Sequence, residues 1–190
     1  MKEVEALIER AIKFKESGLT PLEIADELNV SKETAEWLLS KGKEKKPVNG
    51  DVKIGWRSIG VYPSRIDYIS DALCDMILEE CEDADTIVGI AINGIPFATY
   101  VADKLGLELA VFRPHSEKSG AFSSNYASVK DKKVIIVDDV IGTGNTFKMA
   151  INAIKREKGK PVLLIAVVNK STKNSVDNIP LRALIRARQI

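Results

Sequence analysis

Val134 to Thr146 reads VIIVDDVIGTGNT, an apolar run that ends in two adjacent acids and passes at once into a turn of glycine, threonine and asparagine. The run is β-branched and apolar at every position, as expected of a strand covered on both faces. Working outward, the same alternation recurs. Strands are predicted over Thr86–Ala91, Glu108–Phe112, Lys133–Asp138 and Pro161–Val168, with a short one near Leu181–Ile185; helices are predicted over Ser64–Cys81, Ile95–Leu105 and Asn145–Glu157. Strands alternating with helices imply an α/β fold with a parallel, doubly wound sheet flanked by helices. Ligands of such sheets bind beyond the carboxyl ends of the strands, where the chain leaves for the helices. Asp138 to Thr146 is predicted to be one such loop.

The chemistry of that loop follows from its residues. IGTGNT running into a helix offers backbone N–H groups and the hydroxyls of Thr143 and Thr146 to an anion, and the helix dipole adds to the attraction. It differs from the nucleotide P-loop, since no Gly-Lys-Ser/Thr follows, and from the dinucleotide fingerprint, since Phe147 stands where the third glycine belongs. Two acids beside a phosphate would repel it unless they serve another group. Sugar hydroxyls suit carboxylate acceptors, so the expected ligand is a sugar phosphate. An ordinary strand, turn and helix is the plainer alternative.

The first fifty residues have a different character. Val4, Leu7, Ile8, Ala11, Ile12 and Phe14 recur mostly at helical spacing, and Ser17-Gly18 closes that segment. Thr20 before Pro21 and Ser31 three residues after Leu28 read as two N-caps, so two short helices must meet at an angle. Ile24, Ala25, Leu28, Val30, Ala35 and Leu38 would form the inner seam of a helix-turn-helix, leaving Ser31, Lys32, Glu33 and Glu36 outward on the second helix. Double-stranded DNA is the expected partner, with Lys41 and Lys43 adding charge just after that helix; a helical hairpin used for dimerisation is the alternative. Nine basic against ten acidic residues in positions 1–50 are unusual for a module that neutralises phosphates. The stretch KGKEKKPVNGD marks a boundary near residues 43–51, giving a DNA-binding domain over 1–46 and an effector-binding domain over 47–190. Residues 43–60 are left as a wing, a hood over the ligand, or both.

Composition limits the rest. The 190 residues are 45% hydrophobic, enough for one ordinary domain and a small second one, and 28 basic against 27 acidic residues exclude a global field toward nucleic acid or lipid. Cys74 and Cys81 lie two helical turns apart and are expected to be reduced packing residues. No stretch has the length of a membrane span or the core of a signal peptide, so a cytoplasmic protein without membrane contact is expected.

VIIVDDVIGTGNT resembles the phosphoribosyl pyrophosphate motif of type I phosphoribosyltransferases. The resemblance implies that Asp138 and Asp139 hold ribose hydroxyls and that Ile141, Gly142, Thr143, Gly144, Asn145 and Thr146 wrap the 5-phosphate. GIAINGIPFA resembles the pyrophosphate loop of the orotate enzymes, with Asn93 and Gly94 at its tip, and NIPLRALI resembles their last strand, so the likeness spans Val52 to Ile190. The catalytic half departs from the pattern. Where the orotate enzymes have R-K-x-x-K-x-H-G, this chain has RPHSEKSG from Arg113 to Gly120: Arg113 and Gly120 fit, Pro114 and Glu117 replace the lysines, and Lys118 is displaced by one. His115 is out of register and reads as a surface loop residue, Lys170 stands for the family's arginine, and Gly142 takes the place of the purine enzymes' acid. Stabilising a departing pyrophosphate needs cations, so this reading favours a binding domain over an enzyme, with Lys118 as the one catalytic candidate.

A helix-turn-helix ahead of such a domain, with IGWRSIG and IPLRALIRAR, is similar to the archaeal GfcR-type regulators of sugar catabolism. That resemblance implies a homodimer that controls transcription by binding phosphoribosyl pyrophosphate or a related metabolite. It requires no cofactor and no protein-bound metal, although the metabolite can carry Mg2+. The competing reading is an active orotate or other nucleobase phosphoribosyltransferase whose N-terminal extension serves dimerisation.

Overall fold

The computed structural model describes residues 2–40, 52–116 and 119–187. Contacts divide the chain into two compact units, Met1–Trp56 and Arg57–Arg188. The expected boundary after residue 46, like the first half of the segment read as a wing or hood, lies outside the described residues.

The first unit contains α1 (Lys2–Glu16), α2 (Pro21–Leu28) and α3 (Lys32–Leu39). Gly18, at φ +91°, turns the chain out of α1. The Thr20 hydroxyl accepts from the Glu23 N–H at 3.4 Å, and the Glu23 carboxylate accepts from the Thr20 N–H at 2.8 Å, so α2 opens on a reciprocal capping box. Asn29 ends α2 in the left-handed region at φ 52°, and the Ser31 Oγ at once accepts from the Thr34 N–H at 3.1 Å to start α3. With both helices capped across so short a link, they must cross rather than continue. The seam is as expected: Ile24, Ala25, Leu28, Ala35 and Leu38 are buried together with Ala11 of α1, and Val30 packs partly buried against them. These helices fit a small helix-turn-helix-like domain.

The second unit begins with one short turn of helix, α4 (Arg57–Gly60), and the long α5 (Pro63–Glu80). Its sheet comprises β1 (Thr86–Ile90), β2 (Glu108–Ser116), β3 (Ser119–Phe122), β4 (Lys133–Ile141), β5 (Lys160–Asn169), β6 (Ser175–Val176) and β7 (Ile179–Arg186), in the order β3-β2-β1-β4-β5-β7-β6. The five central strands are parallel, as expected, whereas β3 and β6 pair antiparallel at the two edges. Neither edge strand has room for the crossover that a parallel neighbour needs. Asp177 and Asn178, both at positive φ, make the two-residue hairpin between β6 and β7.

On one face, α6 (Gly94–Leu105) lies so close to β1 that a methyl group on Gly89 would meet the Ala98 Cβ at 2.8 Å. On the other, α7 (Asn145–Arg156) sets Phe147, Ala150, Ile151 and Ile154 against Val88, Ile90, Val134 and Ile136. Burying each of the Phe, Ile and Val side chains contributes roughly 1.5–3 kcal/mol, which makes this core the main source of the unit's stability. Cys74 and Cys81 are both free thiols, as expected.

Candidate functional site

β4 runs three residues further than expected, pairing with β5 as far as Ile141↔Asn169, so both acids are strand residues rather than loop residues. That places their backbone in the rigid sheet. Asp138 and Asp139 are each 7% exposed. The Asp138 Oδ1 accepts from the Asp139 N–H at 2.9 Å, and the Asp139 Oδ1 accepts from the Val140 N–H at 2.8 Å. The Asp139 Oδ2 is buried with no hydrogen-bond partner among the described residues. Burial pushes the Asp139 carboxyl above its ordinary range, against the opposing pull of Asp138, the Val140 N–H and the Asn93 side chain.

The β1–α6 loop meets this pair from the neighbouring strand. A methyl group on Gly94 would lie 2.7 Å from the Val137 carbonyl oxygen and 3.1 Å from the Asp138 Oδ1, so only glycine lets the start of α6 sit against the head of β4. The structure thus brings together Asn93, Gly94, Asp138 and Asp139, which lie far apart in the chain.

Beyond Ile141, which is buried and anchors the turn, Gly142, Thr143 and Asn145 are exposed, and Thr146 is half-buried in the first turn of α7. Gly144 is the N-cap of α7 at φ +86° and has no side chain to cap it. The Thr143 hydroxyl accepts from the Asn145 N–H at 3.3 Å. The remaining N–H groups of a first helical turn have no partners within the helix, which suits the turn to an anion. A surface recess of about 310 Å³ lined by Ser128, Lys130, Arg156, Glu157 and Lys158 lies at the amino ends of β4 and β5, away from this chemistry.

Two residues missed in sequence complete the arrangement. Asn169, fully buried at the end of β5, accepts through Oδ1 from the Ser171 N–H at 2.7 Å and donates through Nδ2 to the Lys173 carbonyl at 3.0 Å. The loop it organises carries Lys173 back over the cradle, where Nζ donates to the Thr143 carbonyl at 2.6 Å. A buried asparagine between a strand and a polar NKSTKN segment was the available signal. The neighbouring Lys170 is half-buried, and its backbone N–H donates to the Ile141 carbonyl at 2.8 Å.

The expected catalytic loop takes another form. Arg113 to Ser116 continue β2, and Ser119 to Phe122 return antiparallel to it, with Arg113 opposite Ala121 and Pro114 opposite Gly120. A methyl group on Gly120 would strike the Phe112 ring, so Phe112, Phe122 and Gly120 interlock. Arg113 lies on β2, two strands from Asp139 on β4, with β1 between them. His115 is an exposed strand residue rather than a loop residue, and Glu117 and Lys118 lie outside the described residues.

In the first unit, Lys32, Glu33 and Glu36 lie on α3, with Lys32 3.8 Å from Glu36, whereas the Ser31 hydroxyl is engaged as a cap rather than free to reach outward. Lys41 and Lys43 lie outside the described residues.

The Phosphoribosyl transferase domain family matches residues 66–185. Along its whole length the chain is 46% identical to the transcriptional regulator GfcR of Thermoplasma acidophilum, covering 98% of that protein. The chain belongs to the GfcR family of transcriptional regulators. A second GfcR, from Picrophilus torridus, is 45% identical over 98% of both chains. Among solved structures, orotate phosphoribosyltransferase of Mycobacterium tuberculosis in complex with 5-phospho-alpha-D-ribosyl 1-diphosphate has a TM-score of 0.59 at 18% identity, over 70% of this chain and 80% of that one. That likeness is one of fold. This GfcR-family chain therefore couples a helix-turn-helix-like unit to a phosphoribosyltransferase-type domain, and none of its described helices is long and apolar enough to cross a membrane.

Proposed function

We propose that the chain is a DNA-binding regulator of sugar metabolism whose second unit binds phosphoribosyl pyrophosphate, or a related sugar phosphate, as effector. The observation that carries the reading is the buried, unpartnered Oδ2 of Asp139 beside an open Gly/Thr turn. Leaving a buried acceptor unsatisfied costs about 1–3 kcal/mol, and a ribose hydroxyl would remove that penalty while the turn's N–H groups take the phosphate. Any Mg2+ would arrive on the diphosphate, as this ion is held largely by substrate phosphates and water. In this reading the protein is a cytoplasmic homodimer that sets α3 and its partner copy into DNA half-sites about 34 Å apart, and the effector shifts the population of DNA-competent dimers.

Electrophoretic shift with the protein's own upstream DNA, with and without phosphoribosyl pyrophosphate, tests this. Tighter binding to that DNA than to random duplex, altered by the metabolite, is expected; equal affinity for both would refute regulation. A turnover assay with phosphoribosyl pyrophosphate, Mg2+ and each common nucleobase should show no ordinary enzymatic rate, and rapid pyrophosphate release would establish the transferase instead.

A further inference from the structure

The cradle lacks charge of its own. IGTGNT is neutral, and the acids Asp138 and Asp139 stand just before it in the chain. From the turn itself a phosphate dianion would draw only on N–H dipoles and hydroxyls. A cation from a distant part of the chain touches the turn. The Lys173 Nζ is 2.6 Å from the Thr143 carbonyl and 3.6 Å from where a methyl group on Gly144 would stand. Among the described residues no carboxylate pairs with it. Its backbone is held in turn, because the buried Asn169 amide grips the Lys173 carbonyl and Ser171 alike. An exposed lysine on a free loop would lose considerable side-chain entropy by settling on one carbonyl, but here the loop is already fixed by a buried side chain.

Taking the sugar-phosphate reading of the cradle as given, we infer that Lys173 is the cationic wall of the phosphate site and that Asn169 is its positioning residue. Nζ has three donors, so it holds the turn closed through the Thr143 carbonyl and has donors left for a phosphate oxygen. The arrangement assigns the phosphate's countercharge to the loop after β5, not to the turn that wraps it. Specificity follows: the site should prefer a doubly charged phosphate over a singly charged or uncharged substituent at the same position.

Calorimetric titration of the full chain with ribose 5-phosphate tests the assignment, using the parent protein, Lys173→Gln, Lys173→Arg and Asn169→Ala. A charge-assisted hydrogen bond is worth about 1.5–3 kcal/mol, so Lys173→Gln should weaken binding roughly 10- to 150-fold at pH 8, and Lys173→Arg should recover most of it. The loss should shrink at pH 5, where the phosphate, with its second pKa near 6, carries about one charge; a purely structural role would leave the ratio constant. Asn169→Ala should weaken binding with the melting curve still cooperative. If the parent binds ribose 5-phosphate and Lys173→Gln binds within twofold of it at pH 8, or if the loss is the same at pH 5, the role of Lys173 is refuted while the site stands. If the parent binds neither ribose 5-phosphate nor phosphoribosyl pyrophosphate, the sugar-phosphate reading itself fails.

Discussion

Asp139 holds a carboxylate where water is largely excluded, and the sign of that effect can be worked through. Its folded pKa lies above its unfolded value because burial disfavours the charged form. Below the unfolded value both states carry the proton, and the site costs nothing. Between the unfolded and the folded value the unfolded chain ionises while the folded site keeps its proton, so the cost builds over that window and persists above it. Asp139→Asn should therefore raise the melting temperature at pH 8 by about 2–4 °C per kcal/mol recovered. The gain should fade as pH drops toward the unfolded carboxylate range, and ribose 5-phosphate binding should be lost throughout. Calorimetric scans of variant and parent across pH check both parts. Two glycines give a matched contrast. Gly94→Ala forces a methyl group to within 2.7 Å of backbone oxygen and should cost about 1–3 kcal/mol in urea melts, whereas nothing lies within 4 Å of a methyl on Gly142. Gly142→Ala should change stability by no more than about 0.5 kcal/mol yet weaken ligand binding, because its Cβ would enter the anion's space.

At the scale of elements, the angle between α2 and α3 rests on caps. Ser31→Ala removes the acceptor for the Thr34 N–H and should cost about 1 kcal/mol, read as faster amide exchange in α3. The capping box also titrates. Its hydrogen bonds from Thr20 hold the Glu23 carboxyl below its usual range, so its contribution is fully present above the unfolded pKa and is lost as pH falls through the folded one. Amide exchange in α2 should accelerate on acidification in the parent, and less so in Glu23→Gln. In the sheet, the matching elements are the hairpins. Asp177-Asn178 is a two-residue loop of the residues that tolerate positive φ, but the two-residue β6 before it is too short to register as periodicity. The segment from Arg113 was read as a loop from its likeness to the R-K-x-x-K-x-H-G segment of the orotate enzymes; pairing with β3 makes it a strand instead.

For the whole molecule, the two units should be separable by mutation. The pair of Lys32 with Glu36, 3.8 Å apart and partly exposed, is weak enough to yield to a DNA phosphate. Lys32→Ala should lower DNA affinity across sequences and reduce the slope of log affinity against log salt by about 1, while ribose 5-phosphate binding stays at the parent level. The converse variant, Asp138→Asn with Asp139→Asn, should lose the metabolite and retain a folded protein that still shifts DNA. Filter binding over a salt series, beside calorimetry, measures both.

Much of this protein is written locally. The caps at Thr20 and Ser31, the apolar seam from Ile24 to Leu38 and the doubly covered VIIV strand are patterns of neighbours, and helix angle and strand burial follow from them without reference to distant chain. The paired acids and the Gly/Thr turn were legible for the same reason, being contiguous. What the tertiary structure alone decided is what meets across the sheet. Gly94 against Val137, Asn93 beside Asp139, and Lys173 on the Thr143 carbonyl join residues 30 or more positions apart. Those meetings depend on strand order and register, which long-range packing fixes and no local window of sequence contains.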